Sequence, residues 1–225
     1  MERGAHNSAS GRGNVDAYAG DVITTNPGEV HDGRPLGGPS RRWRIVYVDC
    51  GVFASIAGRH FEITRPVIRD ENLRRALLRL FRRVERWSAR QGEVLACEES
   101  FVEGCALLMA RYGTAPVPSE APGDVRHVRD RLADDPLNPP ALADMAKMAG
   151  LSRYQLLRRF ESVYGLPPHA WLLRQRAERA RALIRDGSSL ADAAASSGFS
   201  DQSHMTRIFV RQFGFTPGAW RKAVQ

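Results

Sequence analysis

Apolar residues recur at spacings of three and four from Leu73 onward: Leu73, Leu77, Leu80, Val84 and Trp87, with Phe81 widening the stripe. That is the period of an amphipathic helix, and its opposite face is rich in arginine. Gly92 breaks the run. A second helical stripe follows through Val94, Cys97, Phe101, Cys105, Leu108 and Tyr112, ended by Gly113. Two such helices with a short break predict an antiparallel hairpin over 69–113. Upstream the pattern changes. Val22-Ile23-Thr24-Thr25 and Trp43-Arg44-Ile45-Val46-Tyr47-Val48 are β-rich runs, and Asn26-Pro27-Gly28 is a turn. Phe53, Ile56, Phe61 and Ile63 follow with less order. Residues 15–66 therefore predict a small β region, thin for an independent core. Residues 1–14, rich in Gly, Ser, Asn and Arg, read as a disordered tail.

Apolar periodicity vanishes over 114–123, where Pro116, Pro118 and Pro122 predict a semi-extended linker. Helical spacing then returns. Asp124 can cap a helix carrying Val125, Val128 and Leu132. Leu142 to Ala149 forms a second, stopped by Gly150. Ser152 caps a third through Phe160 to Tyr164, and Gly165 stops it. Pro168 opens a long helix that ends near Gly187.

The same helical unit then recurs. Leu142, Ala143, Asp144, Ala146, Gly150 and Ser152 match Leu190, Ala191, Asp192, Ala194, Gly198 and Ser200. After one inserted residue, Arg158, Phe160, Gly165, Pro168, Ala170 and Trp171 match Arg207, Phe209, Gly214, Pro217, Ala219 and Trp220. This is a duplicated supersecondary unit, and each copy reads helix, glycine turn, helix. Small residues at Ala146 and Ala194 allow a close helix crossing. Leu156 and Phe160, like Met205 and Phe209, face a shared core.

Charge separates the halves further. The 225-residue chain carries a formal net charge of +8, of which residues 125–225 hold +7 and residues 1–124 only +1. Such asymmetry points to a polyanionic partner for the C-terminal half, the alternative being a solvated basic surface. No run of eighteen apolar residues and no secretory h-region is present, so the expectation is a cytoplasmic, nucleoid-associated protein without a membrane partner. Cys50, Cys97 and Cys105 form neither a disulfide framework nor a CxxC zinc site.

Gly198 to Pro217, GFSDQSHMTRIFVRQFGFTP, followed by Trp220-Arg221, resembles the DNA-binding module of the AraC/XylS family of bacterial transcription regulators. The first unit resembles it through Gly150-Leu151-Ser152, Leu156, Arg158, Phe160, Gly165 and Arg176. The resemblance covers about residues 125–224. Ala193 and Ser197 stand where the family places larger apolar residues, and Arg159 replaces an apolar one. The stretch Gly20-Asp21-Val22, Pro27-Gly28 and His31 is similar to the second half of the family's cupin-type sensor sheet, and 69–113 to its dimerisation helices. The expected architecture is α+β in two domains. A truncated, partial cupin-like β region with a helix hairpin (15–113) precedes a linker (114–123) and an all-α double helix-turn-helix domain (124–225).

The resemblance implies a sequence-specific, non-enzymatic transcription factor acting on double-stranded DNA. Recognition helices at about Ser152–Tyr164 and Asp201–Phe213 would each enter a major groove. A helix over 168–186, roughly 28 Å long at 1.5 Å per residue, would hold them about one DNA turn apart, so that both read one face of bent DNA. The implied base-reading residues are Tyr154, Leu157, Arg158, Gln202, Ser203 and Arg207, with His204 a lesser candidate. Arginine can pair bidentately with guanine and glutamine with adenine, whereas Leu157 could only touch a thymine methyl. The alternatives are ion pairing inside the module for Arg158 and Arg207, and helix capping for Gln202 and Ser203. Arg153, Arg159, Arg174 and Arg211 are phosphate contacts or surface charges. The implied partners also include a second copy through 69–113, RNA polymerase and a small-molecule effector, with His31 as an effector-pocket candidate.

Other chemistries find less support. A metal cupin needs His and Glu ligands on preceding strands, and no metal or other cofactor is expected. Cys97 and Cys105 lie over two helical turns apart, too far for one ion. GxSxG, Gly-rich phosphate loop and HExxH patterns are all missing. A DNA-repair alkyl transferase with the same module would need a Pro-Cys-His-Arg nucleophile, which none of the three cysteines has. A regulator that dimerises through 69–113 without sensing a ligand is a second rival.

Overall fold

The computed structural model describes residues 1–10, 13–29, 33–38, 40–57, 62–114 and 123–224. The chain divides into two compact units, Met1–Arg82 with Ser100–Ser119, and Arg83–Glu99 with Glu120–Gln225.

The first unit opens with a hairpin. β1 (Ala5–Ser10) pairs antiparallel with β2 (Gly13–Tyr18), Ala5 opposite Tyr18 and Ser10 opposite Gly13. After β3 (Val22–Ile23), β4 (Arg34–Pro35) pairs with the other edge of β1. The expected disordered tail is therefore largely strand. Its sequence hid this because β1 carries no large apolar residue, so backbone hydrogen bonds rather than an apolar face define it. The buried face of β1 is polar. His6 is 6% exposed, and its Nδ1 lies 2.8 Å from the Arg41 guanidinium. The Trp43 ring meets the His6 ring edge-on at 5.0 Å.

That placement of Trp43 bears on the second β-rich run. Trp43–Val48 is not a strand, and Tyr47 is 90% exposed there. β propensity needs a neighbouring strand to act on, and this segment has none among the described residues. An unforeseen helix, α1 (Cys50–Ala57), follows, with the Asp49 carboxylate accepting from the Gly51 N–H at 2.7 Å. β5 (Val67–Ile68) then pairs with β3.

Both helices of the expected hairpin form, but their buried faces follow the expected stripes only in part: Val84, Trp87 and Val94 are 38%, 49% and 50% exposed. α2 (Glu71–Ser88) buries Leu73, Ala76 and Leu80. α3 (Val94–Tyr112) follows, burying Leu95, Val102, Cys105 and Met109. At the start of α2, Asp70 Oδ1 accepts from the Asn72 and Leu73 amides, while its other oxygen takes Arg111 at 2.7 Å and the Tyr112 hydroxyl at 3.0 Å.

The second unit takes in the tip of that hairpin, Arg83–Glu99, together with the C-terminal helices. These are α4 (Arg126–Asp134), α5 (Leu142–Met148), α6 (Arg153–Tyr164), α7 (Pro168–Arg185), α8 (Leu190–Ser196), α9 (Gln202–Phe213) and α10 (Pro217–Val224). Val128, Leu132, Leu142, Met145, Leu156, Phe160 and Leu172 are buried in the first repeat. The second repeat packs on the later part of α7. There Ala177, Ala180 and Ile184 meet Ala193, Ala194, Phe199, Met205 and Phe209 in one cluster. Asp124 contributes to the α4 start by accepting from the Arg126 N–H at 2.9 Å, although the capping position belongs to Val125. Most of the expected linker and His31 lie outside the described residues.

Candidate nucleic-acid interface

Both repeats turn on a glycine in the left-handed region, Gly150 at φ +65° and Gly198 at φ +81°. A side chain there would strain the backbone. The helix after each turn begins with a side-chain cap. Ser152 accepts from the Gln155 N–H at 3.2 Å while the Gln155 side chain accepts from the Ser152 N–H at 3.0 Å, a reciprocal capping box at α6. At α9 the carboxylate of Asp201 accepts from the His204 N–H at 2.6 Å. This backbone donation, with the Ser200 hydroxyl and the Arg207 charge, holds the Asp201 carboxyl below its ordinary pKa against the opposing effect of burial. Both helices end on a left-handed glycine, Gly165 and Gly214.

Caps set where each helix starts and stops, and apolar packing fixes which face points outward. Met205 and Phe209 turn inward, leaving Gln202, Ser203, Arg207 and Arg211 exposed on α9. Among the described residues no carboxylate lies within salt-bridge distance of Arg207 or Arg211. Thr206 and Val210 share this outer side, and the three-to-four spacing from Gln202 is the signal that would have found them. His204 is only partly exposed. Its ring lies edge-on to Phe199 at 5.3 Å, its Nδ1 is 3.1 Å from the Ser200 hydroxyl, and burial pushes its pKa down.

On α6 Arg158 is exposed and pairs with Glu161 at 3.4 Å, while Tyr154 is half-buried. Leu157 does not share the exposed face. It is 6% exposed, beside Leu156 and Phe160, because the apolar face of α6 is wide enough to take in all three. A thymine-methyl contact from Leu157 is thereby removed from the reading set. Arg159 is drawn toward the Gly123 carbonyl at 3.4 Å, and Arg174 is exposed on α7.

Sequence reasoning missed a polar cluster beneath these helices. Glu93, Glu98 and Glu99 reach from the hairpin tip to α5 and α7. Glu98 accepts from the Leu142 N–H at 2.9 Å and Glu99 from the His169 N–H at 2.6 Å. Arg176, 2% exposed, donates from Nε to the Pro136 carbonyl at 2.8 Å and places Nη1 2.7 Å from Glu93. That last contact is a charge pair closed almost entirely to solvent on the arginine side. Burial alone would raise the Glu93 pKa. The neighbouring His169 and Arg176 outweigh it and hold the carboxyl below its ordinary range.

In the first unit a cleft of about 370 Å³ is lined by Val15, Asp16, Arg65, Val67, Arg69 and Tyr112. Among the described residues no cluster of His, Cys, Asp or Glu suits a metal ion, and no helix is long and apolar enough to cross a membrane.

Comparison with known proteins places both halves. Residues 145–223 match the model of a helix-turn-helix domain, and residues 1–101 match that of an AraC-like ligand-binding domain. The regulator MtrA of Neisseria gonorrhoeae is 34% identical over 97 residues, 43% of this chain and 32% of MtrA. YbfI of Bacillus subtilis, an uncharacterized regulator of the helix-turn-helix type, is 28% identical over 194 residues, 83% of this chain and 70% of YbfI. A probable AraC family regulator of Rhodopseudomonas palustris, known by crystal structure, is 25% identical and superposes over 45% of this chain and 96% of its own, with a TM-score of 0.42. The matched stretch thus spans about a third of MtrA's length.

Proposed function

We propose, for a chain that belongs to the AraC-type helix-turn-helix regulators by the matches at both its ends, that it binds duplex DNA at a specific sequence and thereby regulates transcription. The observation that carries this reading is the pair of glycine-turned, capped helices, α6 and α9, on a half of the chain with net charge +7. Each helix enters a major groove by its capped end. The 18 residues of α7 span roughly 27 Å at 1.5 Å per residue, which sets the two reading heads near one DNA turn apart.

Gln202, Ser203 and Arg207 read bases from α9, and Tyr154 and Arg158 from α6, with His204 in a minor role. The exposed guanidinium of Arg207, without a salt-bridge partner among the described residues, suits the two acceptors of guanine. Arg158 must exchange Glu161 for DNA, a small cost for an exposed pair. Arg153, Arg159, Arg174 and Arg211 serve phosphates, and the protein acts without catalysis. A second copy docks along the helical hairpin, where Val84 and Trp87 are 38% and 49% exposed. An effector binds the first unit. Arg65 and Arg69 in its cleft favour an anionic molecule, and RNA polymerase is the target of the DNA-bound form.

The test begins with selection of duplexes from a randomised pool by the full chain. On the enriched sequence Arg207→Ala weakens binding by about 1–3 kcal/mol and leaves non-specific binding nearly unchanged. Equal loss on both DNAs rejects the base-reading role, and a pool without enrichment rejects the whole reading.

A further inference from the structure

The cluster around Arg176 reaches the start of α5, the first half of α7 and the turn before α9. Glu98 and Glu99, adjacent on α3, cap two different helices: the amide of Leu142 starts α5 in the first repeat, and that of His169 lies in the first turn of α7. Glu93 engages Arg176, seven residues further along α7. Arg176 in turn holds the Pro136 carbonyl, just before α5. Its guanidinium also lies against the turn of the second repeat, where a Cβ placed on Gly198 would come within 2.9 Å of Nε and 3.2 Å of Cζ. One buried arginine therefore joins the approach to the first repeat, the turn of the second and the hairpin tip.

Stability alone gives a poor account of this arrangement. A buried ion pair loses hydration at both ends and recovers it only with good hydrogen-bond geometry. With Arg176 only 2% exposed, the Glu93–Arg176 pair meets that penalty nearly in full at the arginine end, so its net contribution to stability is small. What the cluster does supply is direction. Three carboxylates, fixed on one short stretch of backbone, admit few placements of α5 relative to α7, and Arg176 extends the constraint to the turn before α9. Since α6 follows α5 and α9 follows that turn, the cluster bears on the separation of the two reading heads.

We infer that Glu93 and Glu98 of the hairpin tip are positioning residues for DNA recognition: through Leu142 and Arg176 they set the distance between the sequence elements read by α6 and α9. This rests on the proposed DNA-reading function. Neither residue touches DNA, so their effect falls on spacing preference and not on base preference.

The experiment uses the full chain and the duplex enriched from the randomised pool, rebuilt with one base pair inserted or removed between its two conserved elements. The wild-type chain binds the enriched spacing best. Glu93→Ala and Glu98→Ala lower the ratio of affinities between enriched and altered spacing by about fivefold or more. Glu98→Gln, which keeps an oxygen acceptor for the Leu142 amide, retains the wild-type ratio. Glu98 is half-buried and its removal leaves no unpaired charge, so Glu98→Ala carries the test should Glu93→Ala fail to fold. Uniform weakening at all spacings, with unchanged ratios in the folded variants, overturns the inference alone. A wild-type chain that enriches no sequence overturns the DNA-reading function and this inference with it.

Discussion

Gly150 and Gly198 occupy the same place in the two repeats and adopt similar backbone angles, φ +65° and +81°, yet their surroundings differ. Around Gly150 nothing lies within 4 Å of where a Cβ would be, whereas at Gly198 that atom would sit 2.9 Å from Arg176 Nε and 3.0 Å from Leu137 Cδ2. Gly150→Ala therefore incurs only the left-handed backbone penalty, about 1–2 kcal/mol. Gly198→Ala incurs the same penalty and must also displace a guanidinium held by the Pro136 carbonyl at 2.8 Å. A hydrogen bond from a charged donor is worth about 1.5–3 kcal/mol, so the total reaches about 2.5–5 kcal/mol. Asparagine separates the two causes. It tolerates the left-handed region, so Gly150→Asn is mild, while Gly198→Asn still carries the offending Cβ. Urea unfolding of the full-length variants, followed by far-ultraviolet circular dichroism, measures all four. Equal losses at the two positions would refute the packing argument, and full rescue of Gly198 by asparagine would show that backbone angle alone is at stake.

Further outcomes follow from caps and from one buried hydroxyl. Ser197 is fully buried and its Oγ has no hydrogen-bond partner, so Ser197→Ala raises stability by about 1 kcal/mol in the same unfolding assay; a loss would mean that the hydroxyl is satisfied. Asp201→Ala removes the α9 cap and lowers stability by about 0.5–2 kcal/mol at neutral pH. Because folding depresses the Asp201 pKa, its contribution is fully present above the ordinary value of 3.8 and fades as pH falls through the lower folded-state value. The difference between wild type and Asp201→Ala thus narrows in acid. Ser152→Ala, which removes a neutral cap at α6, shows a loss of similar size that does not narrow; parallel acid profiles for the two variants would contradict the assignment.

The helical half was legible because its determinants are local. A stripe such as Leu73, Leu77 and Leu80 carries the period of its element, and Ser152, Gly165 and Gly214 mark helix ends within a few residues of themselves. The repeat added a second reading of each position. The strands were less legible. β1 is built from alanine, histidine, asparagine and serine, which give no apolar alternation, while Trp43–Val48 has the composition of a strand and no partner strand among the described residues. At the candidate site, the exposed α9 residues followed from helix period, but Leu157 required knowing how wide the buried face of α6 is. The Glu93, Glu98 and Glu99 contacts were beyond reach. They join residues 83, 44 and 70 positions apart through single polar atoms, and no periodicity records such pairings.

The grouping of Arg83–Glu99 with the C-terminal helices also has a practical side. A fragment begun after the proline-rich stretch that follows Gly113 lacks Glu93, Glu98 and Glu99, and so leaves Arg176 without its acidic neighbour and two helices without their caps. It would still hold both reading helices, but with a stranded cation at its centre. If Glu93 and Glu98 position the reading helices as inferred, binding by such a fragment discriminates less sharply between spacings than binding by the intact chain.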